Sequence, residues 1–151
     1  MGNTDATEKQ DNKEALASYR ILSFRTKAPD QYKGMVYSGW LNSLRYNNDL
    51  FKLIDSDAYY KTYATYITSI LKRPYSRLRI AVLSDDEDVA LGWSVDEADI
   101  LHYVYVPKDY RKRGIGKSLI PEGIKQFSHI TTIGLSIWTT KYPSLKFNPF
   151  L

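Results

Sequence analysis

The spacing of apolar side chains changes period several times along the chain, and each change predicts an element. Residues 19–25 (YRILSFR) read as a first strand. After Pro29, apolar side chains recur at Tyr32, Met35, Val36, Trp40 and Leu44, the spacing of one helix face. The polar stretch YNNDL breaks that stripe, and a second one runs through Tyr59, Tyr63, Tyr66, Ile67, Ile70 and Leu71 before Pro74. Tyrosines at this spacing are expected to form a core seam whose hydroxyls reach a polar partner or water. The period then drops to two. In residues 77–83 (RLRIAVL), Leu78, Ile80 and Val82 share one strand face. The acidic turn SDDED leads to VALGWSV, and VDEAD leads to ILHYVYV, so three strands with short turns predict an antiparallel meander. The third of them, residues 100–106, is apolar on both faces apart from His102, which predicts a central strand covered on both sides. A helix is expected next, burying Ile115, Leu119, Ile120, Ile124 and Phe127, followed by a strand at residues 130–139. The predicted order is β-α-α-β-β-β-α-β, an α/β domain over residues 19–151 with a mixed, mainly antiparallel sheet and a short tail. Residues 1–18 are rich in Asn, Asp, Lys, Glu and Thr with nothing to bury, and are expected to be disordered.

Composition removes several classes of function. The chain has 151 residues, 43% hydrophobic and 25% charged, which suits one packed domain. No apolar run approaches the ~18–20 residues of a membrane span. The polar opening MGNTDATEKQDNKEALAS lacks the apolar centre of a signal peptide, and Ala6 stands where a myristoylation motif wants Ser or Thr. A soluble, cytoplasmic protein without a membrane partner is expected. With no cysteine, disulfides, thiolate metal sites and a cysteine nucleophile are excluded; with only His102 and His129, a histidine metal site is not expected. Net charge is +4, but residues 101–151 hold 8 basic and 2 acidic side chains, and Lys108, Arg111, Lys112, Arg113 and Lys117 fall within ten positions. Charge focused on one loop suggests a compact anionic partner, although a solvated charge run is the plainer alternative.

That loop is RKRGIGKSLIPEG, residues 111–123, directly behind the apolar strand. A helix start leaves backbone N–H groups unpaired, and glycines allow close approach of an anion. Gly114 and Gly116 stand at that point, flanked by Arg111, Arg113 and Lys117. The pattern is neither G-x-x-x-x-G-K-[ST] nor the Rossmann fingerprint. A phosphate-bearing ligand, a nucleic-acid backbone and an ordinary tight turn all remain open on these residues alone. Nucleic-acid binding has least behind it, because no aromatic stacking residues cluster with the cations.

The stretch VDEADILHYVYVPKDYRKRGIGKSLI resembles the central motif of the GNAT acetyltransferases, Gln/Arg-x-x-Gly-x-Gly/Ala after an apolar strand. Arg111 to Gly116 fit every defined position, and Val106, Pro107, Asp109 and Tyr110 fit the usual lead-in. The resemblance is clear over residues 89–127 and looser over 19–140. It implies a GNAT-like fold with helices on both sheet faces, and acetyl-CoA or a related acyl-CoA as donor. The pyrophosphate would lie on the N–H groups of Arg113, Gly114, Ile115, Gly116 and Lys117, with Arg111 and Lys112 beside them. The pantetheine would pair along Val104, Tyr105 and Val106, with the Val104 N–H facing the oxyanion. The reaction implied is direct transfer of the acyl group to an amine, on an acceptor the sequence does not name, and without a metal.

Three departures from the family pattern bear on catalysis. Ile100 stands where many members carry a glutamate base; the nearest titratable groups are His102, Glu97 and Asp99, and a single histidine in a central strand is more often a hydrogen-bonded core residue than a base. For the general acid, Tyr142 is the nearest candidate and Tyr105 the second. The chain after Thr140 is too short for the family's last two strands, so either the tail or a second copy of the chain is expected to cover the sheet edge. A catalytically inactive domain that binds acyl-CoA or a protein partner is therefore the second reading. Small truncated proteins of this kind also resemble ones encoded by tailed bacteriophages, which implies a role against host machinery.

Overall fold

The structure is a computed structural model that describes residues 18–25, 28–129 and 140–151. Its elements are β1 (Tyr19–Phe24), α1 (Asp30–Tyr46), α2 (Asp49–Lys52), α3 (Ser56–Leu71), β2 (Ser76–Leu83), β3 (Asp86–Glu97) and β4 (Ile100–Tyr105), then a 3-10 turn (Lys108–Tyr110), α4 (Ile115–Leu119), β5 (Gln126–Phe127) and β6 (Lys146–Phe147). Among the described residues, six strands form one sheet in sequence order. Strands β1 to β4 are antiparallel, and β4, β5 and β6 pair in parallel. The expected meander is present, and β4 lies inside the sheet as its two-sided apolar pattern requires. No helix among the described residues is long and apolar enough to cross a bilayer.

Period-two alternation sorts the strand side chains onto two covered faces. Leu78, Ile80, Val82, Trp93, Val95 and Tyr103 pack under α1 and α3, against Val36, Trp40, Leu44, Ile67 and Ile70. Ala81 and Leu91 pack on the other face against Ile115 and Leu119 of α4. The helix stripes predicted from sequence are the ones buried: Tyr32, Val36, Trp40 and Leu44 in α1, and Tyr59, Ile67 and Ile70 in α3. Two hydroxyls of the tyrosine seam, those of Tyr59 and Tyr66, donate to backbone carbonyls. Tyr59 is 1% exposed, yet its hydroxyl donates to the Leu41 carbonyl at 2.6 Å. Helix α3 starts at Asp55, whose carboxylate accepts from the Ala58 N–H at 3.0 Å.

Two irregularities in the ladder decide where side chains point. The register steps from Ala81↔Gly92 to Val82↔Ala90, so Leu91 is bulged and turns toward α4. A second step, from Val95↔Tyr103 to Asp96↔Leu101, bulges His102. Next to the first bulge, Gly92 leaves little room for a side chain: a Cβ there would lie 3.0 Å from the Tyr105 carbonyl and 3.2 Å from Leu119 Cδ1, so its neighbours would have to shift. That close approach seats α4 on the sheet.

The expected long helix after the glycine loop is not formed. Helix α4 has five residues and stops at Ile120, which is extended at φ −86° and ψ 115° because Pro121 follows it. Ile124 and Phe127 are therefore off the helix. Phe127 is instead in β5, with Gln126 and Phe127 pairing to Ile100 and Leu101. The strand expected at residues 130–139 lies outside the described residues, as does all but Ser18 of the segment expected to be disordered, residues 1–18. Ser18 accepts a backbone bond from Ser84 at 2.9 Å. The tail does cover a sheet edge, but at β5: Lys146 and Phe147 pair with Gln126 and Phe127, and the Phe127 and Phe147 rings sit 5.4 Å apart.

Candidate functional site

The pairing of β4 with β5 covers two residue pairs, Ile100↔Gln126 and Leu101↔Phe127. Beyond Leu101, β4 continues to Tyr105 and the chain enters the basic loop. Two grooves adjoin this region, one on each face of the sheet.

The first, here the loop groove, encloses about 610 Å³ on the α4 face. It is lined by Val104, Lys112, Gly114, Gly116, Lys117 and Ile120, with Lys141 and Tyr142 contributed by the tail. The sequence-predicted donor residues thus divide into two groups. Val104, Lys112, Gly114, Gly116 and Lys117 come together with Tyr142, which the sequence placed only by its distance along the chain. Ile115 is buried in the core at 1% exposure, so only its backbone can face a ligand. Tyr105 leans on Trp93 with ring centroids 6.0 Å apart, and Val106 packs beneath α4. Arg111 Nε donates to the Val106 carbonyl at 2.7 Å and ties the loop to the end of β4. Arg113 is exposed.

The loop adopts backbone shapes that explain its residues. Gly114 caps α4 at φ +82°, in the left-handed region. Lys112 is also left-handed, at φ +63°. The first N–H groups of α4 have no helical acceptor, although a helix of five residues supplies only a small fraction of a full macrodipole. Charge here comes from Lys112, Lys117 and Lys141. At Gly116 a Cβ would meet only Val106 Cγ2, at 3.7 Å, so the fold itself has room for a side chain there.

The second, here the aromatic groove, encloses about 780 Å³ on the α1–α3 face. Phe51, Tyr63, Tyr66 and His129 supply one wall, and Phe147, Phe150 and Leu151 of the tail supply another. Arg73 is the one formally charged side chain among the described residues lining it. The Tyr66 hydroxyl donates to the Leu151 carbonyl at 2.7 Å, which holds the tail across one end.

Behind this groove lies a line of four hydrogen-bonded side chains. Glu97 Oε1 is 3.0 Å from His102 Nε2, His102 Nδ1 is 2.8 Å from Ser128 Oγ, and Ser128 Oγ is 2.8 Å from His129 Nδ1. His102 is fully buried, so it meets the groove only through Ser128 and His129. Burial lowers the His102 pKa, and the neighbouring Glu97 only partly opposes this. Burial, reinforced by His102, lowers that of His129 to about 4. Burial would raise the Glu97 pKa, but hydrogen bonds from His102 and Arg73 outweigh it and hold the carboxyl below its ordinary value. Arg73 Nη1 is 3.0 Å from Glu97 Oε1. Asp99 is apart from this line: its carbonyl accepts from Lys125 and Gln126 at the start of β5.

Sequence reading passed over Ser128, His129 and Lys141. Histidine and serine at one junction carry no spacing signal, because their partners sit 26 residues upstream on another strand.

No family model matches the sequence, and no curated protein sequence matches it. Among solved structures, a Pyrococcus furiosus protein provisionally named an acetyl transferase superposes with a TM-score of 0.52 at 16% identity, over 86% of this chain and 80% of that one. AAC(6')-Iy in complex with the bisubstrate analogue CoA-S-monomethyl-acetylneamine gives 0.40 at 15% identity, covering 86% and 77%. The ribosomal-protein-alanine N-acetyltransferase of Brucella melitensis biovar Abortus 2308 gives 0.38 at 14% identity, covering 85% and 76%. At such identities the first likeness is one of fold, and the chain has the fold of the GNAT acetyltransferases.

Proposed function

We propose that the chain is an acyl-CoA-dependent N-acyltransferase, with acetyl-CoA as donor, that passes the acyl group directly to an amine of a protein or small molecule. The observation that carries this reading is the loop groove, where Val104, Gly114, Gly116, Lys112 and Lys117 share one cavity with Tyr142. The pyrophosphate of the donor would lie on the first N–H groups of α4, with the lysines neutralising its charge. The room left at Gly116 suits that approach. The pantetheine would follow β4 to the Val104 N–H, which would stabilise the oxyanion of the tetrahedral adduct. Tyr142 would protonate the departing thiolate. The acceptor amine would come from the opposite face through the aromatic groove. Its lining of Phe51, Tyr63, Tyr66, Phe147 and Phe150 favours an amine carried on an apolar or aromatic body.

The test is calorimetry with acetyl-CoA, CoA and ATP on the purified chain. Acetyl-CoA and CoA are expected to bind well above ATP, since both carry the pantetheine that ATP lacks. No binding of either would remove the donor and with it the reaction.

A second reading is a non-catalytic domain that binds acyl-CoA or a protein partner, as in a phage protein acting on host machinery. Two observations favour it: Ile100 stands at the position of the family's usual base, and His102 is sealed from both grooves. Release of CoA thiol in the presence of a panel of primary amines separates the two readings, since a pure binder releases none.

A further inference from the structure

The geometry points to His129 as the group that takes the proton from the reacting amine, with its bare Nε2 held toward the aromatic groove by a directional chain through Ser128 and His102 to Glu97. The catalytic use of this chain rests on the acyltransfer reading above; the chain itself does not.

The direction follows from counting donors and acceptors along the line. Glu97 is ionised and paired with Arg73, so its oxygen can only accept. His102 Nε2, 3.0 Å away, must therefore carry a hydrogen. A neutral, fully buried imidazole has one ring hydrogen, so His102 Nδ1 is bare and accepts from the Ser128 hydroxyl at 2.8 Å. With its hydrogen committed, Ser128 Oγ offers a lone pair to His129 Nδ1, also at 2.8 Å, which must then be the protonated nitrogen. His129 is neutral as well, so its second nitrogen, Nε2, is left as a lone pair. One carboxylate thus fixes the tautomers of two histidines, and the last of them lines the groove.

The surroundings keep the line neutral and directional. His129 is set edge-on to Trp40, with centroids 5.4 Å apart, and lies against Tyr63 and Tyr66. Glu97 faces Arg73, and Asp96, the other carboxylate near His102, is held by Arg79 at 2.8 Å. Both guanidinium groups are thus paired with carboxylates.

In the reaction, the amine nitrogen forms a bond to the thioester carbonyl carbon and becomes positively charged. That N–H is far more acidic than a free ammonium, so a weakly basic imidazole can take its proton. The N–H electron pair stays on nitrogen, the proton goes to His129 Nε2, and the C–S bond breaks as Tyr142 protonates the thiolate. Imidazolium charge on His129 is offset through Ser128 and His102 by the Glu97 carboxylate, and exchange with water restores His129 and Tyr142. His129 touches the substrate; Ser128, His102 and Glu97 are positioning residues.

The deciding measurement is the tautomeric state of both histidines by long-range nitrogen–proton NMR on histidine-labelled protein, which needs no acceptor. The chain predicts the Nδ1–H form for His129 and the Nε2–H form for His102. Ser128→Ala should release His129 into a mixture of tautomers with acetyl-CoA affinity unchanged, and Ser128→Thr, which keeps a hydroxyl, should restore the wild-type pattern. A wild-type His129 in the Nε2–H form, or a spectrum untouched by Ser128→Ala, would overturn the chain. With 2-phenylethylamine as acceptor, His129→Gln should lower kcat by about 10²-fold or more at constant acetyl-CoA Kd. Unchanged kcat would overturn the catalytic role. Absence of acetyl-CoA binding would sink the acyltransfer reading and leave the tautomers to judge the chain alone.

Discussion

Gly114 and Gly116 are separated by one residue and answer to different constraints. Gly114 is needed by the backbone, at φ +82° with open space around it. Gly114→Ala should cost about 1 kcal/mol of stability, the penalty of a left-handed non-glycine residue, seen as a lower Tm. Gly116 is not needed by the backbone, so Gly116→Trp should leave Tm close to wild type while filling the loop groove and abolishing CoA binding in calorimetry. Retained binding would place the donor elsewhere. The buried titrating groups add a pH dependence. The His129 pKa is about 4 in the fold against an ordinary 6.5, so between those values the unfolded chain takes a proton that the folded chain refuses. Stability contributed by this neutral imidazole is complete above about pH 6.5 and falls as the pH drops toward 4. His102, lowered by burial, acts in the same direction, and Glu97 loses its contribution only as acid protonates it, below its ordinary carboxyl range. Urea midpoints should therefore fall from pH 7 to pH 5, and His129→Gln should flatten that slope. An unchanged slope in the variant would mean that His129 titrates freely.

At the scale of elements, the short helix α4 is held by packing, because five residues are too few to be stable by helix propensity. Leu119, fully buried, packs against Ala81 and Leu91 and meets the space kept open by Gly92. Leu119→Ala should cost about 2–5 kcal/mol and weaken CoA binding as well, since the loop groove rests on this helix. Loss of stability with unaltered CoA affinity would detach the groove from α4. The helix length was written in the residues: Pro121 stands after Ile120 in SLIPEG, and an apolar stripe at Ile124 and Phe127 led past that stop. The periodicity was genuine, but Phe127 spends its burial on β5. The bulge at His102 carried no such signal, since it depends on how β3 and β4 register against each other.

For the whole molecule, the parallel pairings among the described residues are short, two residue pairs each. Two residues of β5 are covered by two of β6, with the Asn148 N–H bonded to the Phe127 carbonyl at 2.9 Å. Removing residues 146–151 should expose that edge and dismantle one wall of the aromatic groove. Light scattering should then report a mass above that of the full chain, together with a lower Tm. A truncated chain with the mass and Tm of the full one would show that the tail is dispensable for the edge. Of the five cations in residues 108–117, Lys112 and Lys117 line the loop groove, with Lys141 added by the tail.

The residues alone settled those features that depend on local period and local chemistry. The helix faces of α1 and α3, the antiparallel meander, the covered central strand and the glycine loop all follow from spacing within one element or one turn. Folding settled what depends on distant partners. Val104, Lys117 and Tyr142 meet in one groove because the tail returns to the sheet. Glu97, His102, Ser128 and His129 fall into line because a bulge in β4 turns one imidazole toward the next strand. Burial then decides the chemistry, since the same histidines in water would be partly charged and would point nowhere in particular.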